Sequence, residues 1–198
     1  MRGGEEILVV PRAVLLPEPV HGFITQDAAE YLARIRAEAT FRRRNDVEDD
    51  PSMKQIIPYL IVRHGGQIFV FQRTQRITET RLRGKFSIGI GGHINRSDVA
   101  GAGDVLEAGL RRELAEELVV DGPWAARFAG VLNDDSNDVG RVHFGLVYVV
   151  DTAAPAIAVR EPETLAGWLT APGRLRDLYD RMETWSQLIL DAVDPMRL

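Results

Sequence analysis

A chain of 198 residues with 45% hydrophobic and 27% charged side chains has ordinary globular usage, which excludes a disordered or fibrous protein. Its formal net charge of −5 excludes a general nucleic-acid binder, which needs a basic surface to neutralise phosphates. The absence of cysteine excludes disulfides, thiolate-held zinc and cysteine nucleophiles, and it fits a reducing cytoplasm, the expected location.

No apolar run approaches the ~20 residues that cross a bilayer, and the acidic start Met1-Arg2-Gly3-Gly4-Glu5-Glu6 does not read as a signal peptide. No membrane association is expected. Residues 5–16 read as a strand that Pro11 breaks or confines to an edge. Thr25 caps a predicted helix from Asp27 to Arg43, in which Ala28, Leu32, Ile35 and Ala39 share a face. The run RRRNDVEDDP then switches from positive to negative charge. It separates a small N-terminal extension over residues 1–50, a strand plus a helix, from a main domain over 51–198.

From Gln55 the pattern turns to β, and IIPYLIVR and QIFVFQR flank His64-Gly65-Gly66-Gln67 as a hairpin. After a basic loop, TRLRGKFSIGIGGHI is a strand running into glycines, and a helix follows over about Asp104–Leu118. A second β region takes 124–133 and 142–151 around the polar DDSNDVG. Pro172 opens a terminal helix in which Leu175, Leu178, Met182, Trp185 and Ile189 form one stripe, suited to core or dimer packing. This order of elements indicates an α+β or α/β/α layered domain.

The helix near Asp104–Leu118 carries the chemistry. Leu106, Leu110, Leu114 and Leu118 form its apolar stripe, and Glu113, Glu116 and Glu117 stand beside it at i, i+3 and i+4, within ~100° of arc. Like charges at that spacing destabilise a helix by a few tenths of a kcal/mol each, so a cation is expected there. Hard oxygen donors suit Mg²⁺ or Mn²⁺, ions that usually work on phosphate oxygens. A solvated acidic face is the plainer explanation of three glutamates on a helix. Arg-Glu-apolar-x-Glu-Glu, however, arises by chance in roughly one chain in a thousand of this length, and here it follows a strand and a glycine turn. GIGGHI lacks the third glycine of a dinucleotide fingerprint, and neither a P-loop nor a G-x-S-x-G elbow is present. Gly89, Gly91 and Gly92 instead permit a close backbone approach beside the helix.

These residues resemble the signature of the Nudix hydrolase family, G-x5-E-x7-R-E-U-x-E-E-x-G-U with U apolar. Arg112-Glu113-Leu114-Ala115-Glu116-Glu117 matches its second half and Val120 its last apolar position. Counted back from Arg112, the earlier glutamate falls on Asp104. Gly92 stands for the first glycine, which lengthens the loop by about six residues, and Val119 replaces the late glycine. The resemblance spans roughly residues 55–190.

The resemblance implies a Nudix α/β/α sandwich, a mixed β-sheet between helices, that works as a Nudix-type pyrophosphohydrolase. Such an enzyme is a Mg²⁺-dependent (or Mn²⁺-dependent) hydrolase that cleaves the diphosphate linkage of a nucleoside diphosphate joined to another moiety, by water attack at phosphorus. Glu113, Glu116 and Glu117 would hold the metal, with the Gly92 carbonyl as a further ligand. Arg112 would orient the glutamates, with Asp104 as its ionic partner. Arg73, Arg76, Arg81, Arg83 and Lys85 precede the glycine turn and are candidates for substrate phosphates. Lys54 and Gln55 are weaker candidates. His93 is a candidate for substrate contact, against which stands a structural hydrogen-bonding role. Glu161 or Glu163 would add an acid from a later loop. The alternative is a non-catalytic Nudix-fold module that senses a nucleotide, motivated by the longer loop, Asp104 and Val119. The related isoprenyl-diphosphate isomerase chemistry relies on a cysteine, which this chain lacks. The expected partner is a small nucleotide-type diphosphate, and the extension and apolar terminal helix also fit a homodimer.

Overall fold

A computed structural model describes residues 4–73, 84–100, 103–153 and 156–197. The architecture is α+β, with a mixed β-sheet and helices. In chain order the first half contains β1 (Glu6–Pro11), α1 (Arg12–Leu15), β2 (Gly22–Ile24), α2 (Ala28–Glu38), β3 (Thr40–Arg43), α3 (Arg44–Val47), β4 (Met53–His64), β5 (Gln67–Arg73), β6 (Phe86–Ser87) and β7 (Ile90–Gly91). The second contains α4 (Val105–Glu117), β8 (Leu118–Val120), β9 (Trp124–Asn133), α5 (Asp138–Val142), β10 (His143–Thr152), β11 (Ile157–Val159), β12 (Leu165–Thr170) and α6 (Thr184–Ala192). Among the described residues no helix is long and apolar enough to cross a membrane.

The chain divides into two compact units that do not follow chain order. The first comprises the chain to Tyr59, Gly91–Arg112 and Ala129–Val147; the second comprises Leu60–Ile90, Glu113–Phe128 and the chain from Tyr148.

In the first unit β1 is an interior strand. It pairs antiparallel with β3 (Leu8↔Phe41) and with β4 (Val9↔Gln55), and Ile7, Leu8, Val9 and Val10 are all buried. Pro11 therefore acts as the break, since α1 starts at the next residue. Helix α2 is shorter than predicted at both ends. Asp27, at φ 54°, precedes it in place of a Thr25 cap, and residues 40–43 leave the helix because β1 offers their backbone a ladder. Ala28 and Ile35 carry the buried face, with Tyr31 tilted against Phe144 at 5.7 Å. Strand β2 pairs antiparallel with β9 (Phe23↔Leu132).

In the second unit β5 is paired on both sides along its outer half. β12 runs antiparallel to it (Trp168↔Val70), and β6 meets it at Gln72↔Phe86. The predicted hairpin turn is present between His64 and Gln67, with Gly65 and Gly66 both at positive φ, as a two-residue primed turn requires. A separate antiparallel pair joins β8 to β11 (Val119↔Ala158). The single terminal helix expected after Pro172 is two pieces, a 3₁₀ run over Pro172–Arg181 and then α6. The break has a long-range cause: Met182 bridges to Phe86 and the Glu183 N–H donates to the Phe86 carbonyl at 2.9 Å. Leu175, Met182 and Ile189 of the expected stripe are nevertheless buried.

Candidate active site

Helix α4 is anchored by its apolar stripe, Leu106, Leu110 and Leu114, and Leu118, the first residue of β8, is buried with them. Its start is fixed by Asp104, whose Oδ1 accepts the Leu106 N–H at 2.8 Å while Oδ2 pairs with Arg36 at 2.5 Å. This corrects the expected Arg112–Asp104 pair. Arg112 instead grips Asp98, Nε to Oδ1 at 2.8 Å and Nη2 to Oδ2 at 3.0 Å, and Nη2 also donates to the His93 carbonyl at 2.6 Å. Asp98 is almost fully buried and accepts the Asn95 N–H at 2.8 Å.

Asp98 lies six positions after Gly92, the signature's own spacing from glycine to acid. The extra residues thus fall between Asp98 and Arg112, and counting forward from Gly92 would have found the partner. Two glycines are required by this packing. A Cβ on Gly91 would stand 2.1 Å from the Pro58 carbonyl oxygen, and one on Gly109 would stand 2.8 Å from Ile94.

His93 is held through its ring as well as its carbonyl. Its Nε2 lies 2.6 Å from Gln55 Oε1 and 3.3 Å from His143 Nε2. Gln55 is fully buried and donates to the Val47 carbonyl, which turns its oxygen toward the imidazole. Burial pushes the pKa of His143 down, and its Nδ1 faces the Val139 carbonyl at 2.7 Å. Lys54 is also wholly buried, bonded to Asp135 and to the Gly140 and His143 carbonyls. In these bonds Lys54 and Gln55 stabilise the fold.

The second unit brings four of the remaining candidates, Arg73, Glu116, Glu117 and Glu161, to one cleft, and Glu113 is not among its lining residues. This cleft of about 440 Å³ is lined by Glu116 and Glu117 from α4, by Arg73 at the end of β5, and by Arg160, Glu161, Thr164 and Leu165. Its size is that of a small-molecule site. Burial pushes the Glu117 carboxyl above its ordinary range; Arg73 pulls it back, and Glu161 and Glu116 push it further. Glu116 is exposed, Glu117 half-buried and Glu113 buried. Glu161 opens a tight turn in which its carbonyl accepts the Thr164 and Leu165 N–H groups, and this turn carries its side chain into the cleft lining. Glu163 and Lys85 are not among the lining residues. Arg76, Arg81 and Arg83 lie outside the described residues. Arg73 is steadied by Glu183, Nε to Oε1 at 2.9 Å.

Sequence reasoning missed Arg160, which precedes Glu161 in a segment with no periodicity to mark it. Among the described residues no three His, Asp or Glu side chains are already drawn together tightly enough to enclose a metal. The donor chemistry nevertheless fits a hard divalent cation. Three carboxylates share the cleft lining, and Glu117 is raised partly by the charge of the other two, a repulsion that a bound cation removes.

No protein-family model matches the chain. It is 36% identical over 201 residues to Protein YmaB of Bacillus subtilis strain 168, an alignment covering 96% of this chain and 98% of that protein. Among solved structures it is similar to Tm1382, which is assigned to the Nudix hydrolases, with a TM-score of 0.81, 28% identity, and coverage of 95% of this chain and 97% of the other. It shares the fold of the MutT NUDIX hydrolase from Burkholderia pseudomallei, with a TM-score of 0.52, 20% identity, and coverage of 71% and 98%. The fold also matches the NUDIX domain of Shewanella oneidensis NrtR, solved in complex with ADP ribose, with a TM-score of 0.50, 14% identity, and coverage of 71% and 89%.

Proposed function

This chain belongs to the Nudix hydrolase family and is a Nudix-type pyrophosphohydrolase, and from that premise we propose that it hydrolyses the diphosphate linkage of a nucleoside diphosphate joined to a second moiety. The observation that carries this reading is the cleft in which Glu116, Glu117, Glu161, Arg73 and Arg160 meet. It offers carboxylates for a cation and guanidinium groups for phosphate oxygens, the two chemistries that a metal-complexed diphosphate needs. The family relationship favours a hydrolase over a non-catalytic sensor.

In this proposal Glu113, Glu116 and Glu117 hold Mg²⁺ or Mn²⁺. Bound there, the ion would neutralise phosphate charge and lower the pKa of an attacking water. Arg112, clamped between Asp98 and the His93 carbonyl, fixes the helix at the residue before Glu113. Arg73 balances part of the negative charge at Glu117 and is placed to meet a substrate phosphate. Glu161 sits on a loop apart from the helix yet lines the same cleft, and it is the acid left to accept the proton of the attacking water.

The test is a panel of nucleoside triphosphates, ADP-ribose, NADH, dinucleoside polyphosphates and coenzyme A, incubated with Mg²⁺ or Mn²⁺ and read as released phosphate or pyrophosphate. At least one should turn over, and Glu116→Gln and Glu117→Gln should each lower kcat by about 10²–10⁴-fold without unfolding the protein. Turnover that survives both substitutions and a chelator would sink the proposal.

A further inference from the structure

We propose that Arg160 is a pre-oriented clamp for a second phosphoryl group, by which the cleft selects diphosphates over monophosphates. This rests on the reading of the cleft as a site for a nucleotide diphosphate. An exposed arginine gains little from a surface carboxylate and is free to take other acceptors. Arg160 lines a cleft with Glu116, Glu117 and Glu161, yet its bonds go elsewhere. Its Nε donates to the Ala115 carbonyl at 2.7 Å and its Nη2 to the Leu118 carbonyl at 3.4 Å, while its backbone N–H donates to the Glu117 carbonyl at 2.8 Å. Ala115 and Glu117 belong to the last turn of α4 and Leu118 follows it directly, at a helix end where unpaired carbonyls attract a cation.

Two consequences follow from the chemistry of the group. The guanidinium is planar and rigid, so fixing Nε and Nη2 also fixes Nη1. Among the described residues Nη1 has no hydrogen-bond partner. It is a donor with full charge behind it, held on residues 115 and 118, which flank Glu116 and Glu117 in the chain. Those carboxylates accept a phosphate only through a cation, whereas Arg160 accepts one directly. Two neighbouring anchors of different chemistry match two linked phosphoryl groups. A monophosphate engages one of them at a time.

Calorimetry with α,β-methylene-ADP and with AMP, in Mg²⁺ and in chelator, tests this on the wild type, Arg160→Ala and Arg160→Lys. The wild type should prefer the diphosphate, and Arg160→Ala should cut that preference by about tenfold, the worth of one charge-assisted hydrogen bond, with AMP affinity in Mg²⁺ unchanged. Arg160→Lys should recover only part, since one ammonium cannot hold two carbonyls and a phosphate in the same plane. An unchanged preference in Arg160→Ala overturns the clamp, as does an equal loss for both ligands with a lowered Tm, which marks a purely structural staple. Should the wild type show the preference and the alanine variant lose it while the substrate panel is never hydrolysed, the clamp stands and the hydrolase reading falls. Hydrolysis of the panel with an unaltered preference in Arg160→Ala removes the clamp alone.

Discussion

Two acidic clusters in this molecule are built from similar residues and have opposite electrostatics. In the first unit, burial opposes ionisation of Asp135, but hydrogen bonds from Arg12, Lys54 and Asn133 outweigh it and hold its carboxyl far below the usual range. Its neighbour Asp134 is almost fully buried and takes hydrogen bonds from Ser136 and Asn137. In the second unit, burial pushes Glu117 upward; Arg73 offsets part of this, and Glu161 and Glu116 add to it. The first cluster brought its cations with it. In the second, Arg73 does not offset the burial of Glu117 and the push of its neighbouring acids, and an uncompensated acid in a cleft marks a candidate site for a ligand.

The largest effect expected from disturbing this contrast is on the matched side. Lys54→Met should destabilise the protein by about 3–5 kcal/mol, because Asp135 and the Gly140 and His143 carbonyls together lose a charged donor, as read from denaturant unfolding. A change under 1 kcal/mol would mean that Arg12 alone saturates Asp135. On the unmatched side, Mg²⁺ at a hundred times its Kd should stabilise the fold by about 2.7 kcal/mol, and Glu117→Gln should abolish the gain. Thermal melts with and without the ion decide this.

The pH dependence should carry opposite signs in the two clusters. Asp135 has a depressed folded pKa, so its contribution is present above about pH 4 and is lost as pH falls through the folded value. Asp135→Asn should flatten that acid limb. Glu117 has a raised folded pKa, so its ionisation costs stability as pH rises through the carboxylate range, and Glu117→Gln should raise Tm slightly in chelator. A fall in Tm would contradict the imbalance. The smallest effect belongs to an exposed pair outside both clusters: Arg36→Ala, which frees Asp104, should cost less than about 1 kcal/mol.

The parts of this fold that could be read from sequence were those written in periodicity. The leucines of α4 repeat with the helical turn and place Glu113, Glu116 and Glu117 without further information. The paired glycines at 65 and 66 announce their turn in the same local way. What escaped depends on contacts distant in sequence. Residues 40–43 score as helix until β1 is present to pair with them, and the helix after Pro172 breaks because Phe86 claims Met182 and Glu183. The identity of the acid facing Arg112 turned on which end of the motif was used for counting. Lys54 reads as a cation available for phosphate until its complete burial is seen, and Arg160 acquires meaning only from the carbonyls it meets.

The ion pair between Asp98 and Arg112 has a consequence for protein engineering. It closes the segment between them as a buckle closes a strap, with both ends held by contacts that do not involve the strap itself. Doubling the length of a closed loop costs only about 0.6 kcal/mol. Val99 and Ala100, both exposed, are therefore a grafting point, a place where a tag, a reporter peptide or a binding loop can be spliced in while the register of Glu113, Glu116 and Glu117 is kept.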